Sequence, residues 1–368
     1  MVHGSTRCRV RLPQGLPSKI KLETRRFRKT YRSLKPLAGT GPDGYRNEYL
    51  TCLTTTFTCP VANSAVDNHR LVADLYINAD LPSWYYWIAC SCAMVALIKA
   101  EAAVQGGTPD VRPIGMGGCR RRAWTSSLMK DNAKCFNKTF WPVQVAVGVS
   151  AGVAKLIFAV REHMHAHPDH VLLKLDFTNA YNTVWRAAIL RACYENHEWR
   201  HLYRFYWATL SPTSLIVGIN SLSEEGVQQG DAAGPAGFCK ALQKHAKWAH
   251  EELQKVKGFG VFDMDDGYLV GPVEPLMEVV TGFQQRLSDH VGAVLNFRKC
   301  QMWCDKNHRN HVQRVLDSLD DTPFQLAHIR LRSGHRSYGL MVSGVPFGDK
   351  AFVHAKMKSK VNTIVSQI

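Results

Sequence analysis

Two short apolar runs, GFGVF (258–262) and GYLVG (267–271), stand four residues apart, and the residues between them are Asp263, Met264, Asp265 and Asp266. Runs this short, rich in β-branched and aromatic residues and separated by turn formers, pair as an antiparallel hairpin. The chain must therefore contain at least one antiparallel sheet. The adjacent carboxylates Asp265 and Asp266 leave two readings open. Asp-Asp-Gly is ordinary turn chemistry. Two close carboxylates also repel unless a cation neutralises them, and Mg²⁺ is often held by one or two carboxylates plus substrate phosphates. The choice depends on a third carboxylate and on a context that handles phosphate.

Charge supplies part of that context. The 368 residues leave room for two domains or one large one, and 46 Lys and Arg oppose 30 Asp and Glu, a formal net charge of +16. Such an excess points to a polyanionic partner, most simply nucleic acid, bound in a manner that weakens steeply with salt. Between residues 1 and 35, eleven basic side chains face Glu23 alone. The stretch has several Pro and Gly and no clear period, so residues 1–38 are expected to form a basic flexible arm. It lacks the apolar core of a signal peptide, and eleven cysteines without paired spacing read as reduced thiols. The expected compartment is intracellular, nuclear rather than mitochondrial. The run LPSWYYWIACSCAMVALI (81–98) reaches only the lower limit of a membrane span and contains Pro82, Ser83 and Ser91. A buried helix through this region, with no membrane partner, is the expectation.

Elsewhere the patterning mixes helices and strands. VLLKLDF (171–177) reads as a buried strand, and the stretches 152–164, 179–196, 234–255 and 274–291 read as helices. Residues 105–118 read as extended, LIVGI (215–219) as a strand, and YGLMVSGVPFG (338–348) as a last hairpin. Without strict βαβ alternation, the fold class is α+β. Asp176 ends the strand VLLKLDF. It is either a rigid metal ligand or a helix cap in rivalry with Asn179. Together with Asp265 and Asp266 it makes a set of three carboxylates, far apart in sequence, of the kind that two-metal phosphoryl transfer uses.

LKLDFTNAYNTV, EEGVQQGDAAGP, DMDDGYLVG, LNFRKCQMW and GLMVSGVPFG occur in the order of the blocks of reverse transcriptases, and they most resemble those of non-LTR retrotransposons. Upstream, GPDGYRNEYL, TPDVRPIGMGGCRRR and QVAVGVSAG resemble the fingers segments of that family. The resemblance covers roughly residues 39–350. It implies a right-hand polymerase core with an antiparallel palm sheet packed on helices. Residues 39–170 would be mainly fingers and 171–350 mainly palm, with a fingers-like insertion near 186–220. Residues 351–368 would begin a truncated thumb or tail. The implied activity is an RNA-directed DNA polymerase that joins dNTPs to a DNA primer on an RNA template. Two Mg²⁺ ions, with Mn²⁺ as a substitute, would be held by Asp176, Asp265, Asp266 and the carbonyl of Phe177. Tyr181 stands where the family closes the space of a ribose 2′-OH. RNA-templated RNA polymerases typically have Asp at that spacing. Gln229 and Gly230 match the contact to the incoming nucleotide, and Lys299 a lysine near the pyrophosphate. Arg112 and the run Arg120, Arg121 and Arg122 match residues that hold triphosphate or template, a role that suits the guanidinium fork.

Three departures stand out. Asp263 occupies a position that is usually aromatic, and Ala232 and Ala233 replace the usual Pro and a larger apolar residue after QGD. A catalytically inactive, nucleic-acid-binding relative is therefore the alternative. Two further stretches carry several metal-ligating side chains. Cys300, Cys304, His308 and His311 are too closely spaced for a zinc finger. His163, His165, His167 and His170 are expected in a solvated loop.

Overall fold

The computed structural model describes residues 13–55, 60–98, 111–219, 221–319, 324–331 and 333–366. The first half of the chain forms α1 (Thr24–Arg32), α2 (Asn47–Thr55), α3 (Pro60–Ile77), α4 (Ser83–Ala89), β1 (Cys92–Ile98), β2 (Val111–Gly117), α5 (Cys119–Asp131), α6 (Ala133–Phe140), α7 (Gly152–Ala166) and β3 (Val171–Leu175). Then come α8 (Ala180–Thr183), α9 (Arg186–Glu195), α10 (Tyr203–Leu210), β4 (Ser214–Val217), β5 (Ser221–Ser223) and α11 (Gly234–Gln254). The chain ends with β6 (Phe259–Asp263), β7 (Asp266–Gly271), α12 (Val273–His290), β8 (Gln301–Cys304), α13 (Arg309–Ser318), β9 (His328–Arg330), β10 (Arg336–Val342), β11 (Val345–Gly348) and α14 (Lys350–Val365). Helices and largely antiparallel sheets agree with an α+β fold. Two compact units result, one from residues 1–138 and 181–241, the other from 139–180 and 242–368.

In the first unit the basic N-terminal stretch is helical where a flexible arm was expected. Phe27 and Tyr31 of α1 are fully buried, and Glu23 caps the helix by accepting from the Arg25 and Arg26 amides at 2.9 and 2.7 Å. Two apolar side chains four residues apart give this charged segment one face to bury, so α1 docks despite its composition. Residues 1–12 lie outside the described set. The sheet of this unit has the order β2-β1-β4-β5. The run 81–98 is not one buried helix. α4 ends at Ala89, and Cys92–Ile98 pairs with Val111–Gly117 over seven rungs. CAMVALI is rich in helix formers, and strand pairing overrides that preference. No helix among the described residues is long and apolar enough to cross a membrane.

The second unit holds a sheet of order β6-β7-β3-β8, antiparallel throughout. One face packs on helices. Phe262 meets Phe283 of α12 at 5.6 Å, and His250 of α11 sits over Gly260 with Nδ1 2.8 Å from its carbonyl oxygen. The opposite face carries Leu172, Val261, Tyr268, Val270 and Trp303, packed on Leu156, Val160 and Met164 of α7 and on Leu340 and Val342 of β10. A smaller sheet, β11-β10-β9, completes the unit, and α14 continues from it as a regular helix.

Candidate active site

The expected site residues fall in both units. In the second unit the β3–β7 register pairs Leu175 with Gly267. Carried one residue further, that register would face Asp176 with Asp266, at the roughly 4.5–5.5 Å that separates facing Cα atoms of antiparallel strands. β6 and β7 close through the pair Asp263–Asp266, so Met264 and Asp265 alone make the turn. The register therefore brings Asp176 and the turn aspartates together across 89 residues of sequence. All three aspartates are half-buried. Gly267 has a packing reason, since a Cβ there would lie 2.7 Å from the Phe262 ring.

The backbone of Asp176 is anchored from the 294–300 segment. Its carbonyl accepts from the Asn296 amide at 2.7 Å, and its amide donates to the Cys300 sulfur at 3.4 Å. Phe177 bridges to Leu295, and the Thr178 amide donates to the Val294 carbonyl at 2.8 Å. Lys299 is exposed, in the turn closed by its own amide donating to Asn296 O at 2.9 Å. The anchoring by Cys300 and Asn296 was not legible in the sequence, because a backbone anchor leaves no motif of its own. Lys174 escaped the sequence reading as well. Two residues before Asp176 and on the same strand face, it places Nζ 3.4 Å from Asp266 Oδ1. The chain thus carries a cation of its own beside the carboxylates.

Asp263, the departure from the aromatic pattern, is half-buried. Its carboxylate accepts from the Ser343 hydroxyl at 3.2 Å, and the Ser343 amide donates to the Tyr268 hydroxyl at 2.7 Å. Burial, with the nearby Asp266 charge, raises the Asp263 pKa. The residue ties the β6–β7 hairpin to the β10–β11 turn.

In the first unit the GVQQGD loop is held from two sides. The Gly115 amide of β2 donates to the Gln229 carbonyl at 2.9 Å. Gly230 has φ +107°, a conformation that disfavours side chains. Tyr181 stacks on Phe238 at 5.2 Å, and its carbonyl accepts from the Val227 amide at 2.7 Å. The arginines divide by burial. Arg112 is exposed on β2, and exposed Arg120 lies over the Tyr45 ring at 4.7 Å. Arg121 is buried, donating to Cys90 O at 3.1 Å and Gln228 Oε1 at 2.9 Å and pairing with Asp231. Buried Arg186 donates to Gly226 O at 2.9 Å and Ser223 Oγ at 2.8 Å. Arg121 and Arg186 are the scaffold of this loop. Arg186 lay outside every motif, so the sequence carried no signal for it.

No family model matches the chain. Over 321 residues it is 25% identical to the retrotransposable element SLACS 132 kDa protein of Trypanosoma brucei gambiense, an alignment that takes in 84% of this chain and 26% of that protein. The chain is distantly similar to a retrotransposon protein. It spans about a quarter of that relative's length.

Proposed function

We propose that this chain is the polymerase core of a non-LTR retroelement reverse transcriptase, with the second unit as palm and the first as fingers. The observation that supports the reading is the strand register, which pairs Leu175 with Gly267 and Asp263 with Asp266, so that Asp176 follows the last β3–β7 rung beside the hairpin that carries Asp265 and Asp266. The distant similarity to a retrotransposon protein supports it. The donor set fits Mg²⁺, since carboxylate oxygens suit a hard cation and Asp176, Asp265 and Asp266 supply three of them. Bound there, such ions lower the pKa of an attacking hydroxyl and offset charge on phosphate oxygens. The protein's own work is placement. Anchoring of Asp176 through Asn296 and Cys300 fixes one carboxylate against the hairpin that carries the other two. In the first unit, Phe238 braces the Tyr181 ring, which excludes a ribose 2′-OH and favours dNTPs. Gln229 and Gly230 contact the incoming nucleotide, Arg112 and Arg120 take triphosphate or template phosphates, and Lys299 protonates the departing pyrophosphate.

A second reading, a nucleic-acid-binding relative without catalysis, draws on Lys174, whose ammonium already neutralises Asp266, and on the extra carboxylate Asp263. Primer extension on an RNA template with dNTPs and Mg²⁺ or Mn²⁺ separates the two. The polymerase reading predicts extension by the wild type and none by Asp265→Asn with template binding intact. Template binding without extension by either protein supports the second reading. Incorporation of ribonucleotides by the wild type, unchanged in Tyr181→Ala, would instead mark an RNA polymerase.

A further inference from the structure

The histidine stretch that closes α7 is only in part the expected solvated loop: His163 and His165 belong to the helix, and His165 and Asp169 are exposed, but His170 is buried. His170 is 3% exposed and stands immediately before β3. Pro168 occupies the second position of a tight turn in which the His170 amide donates to the His167 carbonyl at 3.1 Å. Proline presets the backbone angle that such a turn needs, so residues 167 and 170 are brought together by local chemistry. The His167 and His170 rings lie 4.8 Å apart, nearly parallel at 19°. One ligand atom from each of His167, Asp169 and His170 lies within 4.8 Å of the other two.

A fourth side chain supports the group from behind. His163, one helical turn before His167, places Nε2 2.9 Å from His170 Nδ1, and Phe259 packs edge-on against the His163 ring at 5.1 Å. A metal-binding imidazole characteristically gives its second nitrogen to such an outer partner, which fixes ring orientation and tautomer. With Nδ1 engaged by His163, His170 would have to meet a cation through its other ring nitrogen, Nε2. The carbonyl end of the 15-residue helix α7 adds a negative potential at the same place. The nearby Lys257 charge opposes it. Two imidazoles and one carboxylate suit a borderline divalent ion and not Mg²⁺ or Ca²⁺, which prefer oxygen alone.

We propose that His167, Asp169 and His170 form a site for one divalent transition-metal ion of the zinc class, with His163 as the residue that positions the His170 ring. The ion fastens the C-terminal end of α7 to the residue before β3, the strand that leads to Asp176. Its role is a structural clamp on that strand, and it stands independently of the polymerase reading.

The test uses the full chain, stripped by a chelator and titrated with Co²⁺ alone, read by its visible ligand-field absorption. The expected result is an intense visible band that saturates with a single Co²⁺, apart from any weakly absorbing oxygen-bound ion at the hairpin aspartates, displacement by Zn²⁺ and a higher melting temperature with metal bound. His167→Ala and Asp169→Asn, both at positions outside the buried core, each weaken binding at least about tenfold, and His163→Phe weakens it by roughly 10–100-fold. Asp265→Asn leaves binding unchanged, which separates this site from the aspartates of the hairpin. Absence of a ligand-field band, or a band indifferent to both His167→Ala and Asp169→Asn, overturns the proposal. So does a band lost in Asp265→Asn.

Discussion

At the scale of single residues, the strongest constraint in the first unit is the buried pairing of Arg121 with Asp231. Removing one partner of such a pair strands the other charge in a medium that cannot solvate it, at a cost of about 3–5 kcal/mol. Arg121→Ala is therefore expected to lower the unfolding free energy from urea titrations by that order. Adding Asp231→Asn should recover part of the loss. In the second unit, burial, with His290, Arg286 and Lys244 nearby, pushes the His245 pKa from its ordinary 6.5 down to about 4. The fold holds this ring neutral, stacked on His290 at 5.4 Å. The unfolded chain binds the proton more readily, so its contribution is complete above pH 6.5 and is lost as the pH falls towards 4. The loss is roughly 3 kcal/mol. His245→Phe should flatten the acid limb of a stability–pH profile over that window.

At the scale of elements, the β6–β7 hairpin concentrates the sequence signal and the strain together. Met264, first of the two turn residues, has φ +60°, a conformation that a residue with a Cβ adopts at a cost of about 1–2 kcal/mol. A β-branched side chain fits there worst. Met264→Ile should destabilise the chain by roughly 1–2 kcal/mol in equilibrium denaturation, while Met264→Gly should be at least neutral. The hairpin was legible because its period, turn residues and length agree locally. So were β3, α7, α11 and α12. β1 was not, because what makes Cys92–Ile98 a strand is its pairing with β2 across the chain, and its own residues favour helix. α1 was hidden by its charge, although Phe27 and Tyr31 carried the signal of a buried face. The stretch 179–196, expected as one helix, is two, with Arg186 opening the second and its guanidinium committed to the 223–226 loop.

At the scale of the molecule, what could not be read from composition or local pattern is which distant segments meet. The resemblance to reverse transcriptases named the aspartates, and the sheet order β6-β7-β3-β8 puts the strand that leads to Asp176 beside the hairpin that carries Asp265 and Asp266. The anchors of that arrangement, Asn296, Cys300 and Lys174, depend on contacts that no single segment announces. If Asp176 and Asp265 act on one reaction as a unit, their losses must not add, since removing either disables the same step. The decisive measurement is single-turnover incorporation of one dNTP on an RNA template by the wild type, Asp176→Asn, Asp265→Asn and the double variant. The account predicts that each single substitution reduces the rate by about a thousandfold or more and that the double variant is scarcely worse. Losses that multiply, or an Asp176→Asn protein as fast as the wild type, would contradict it.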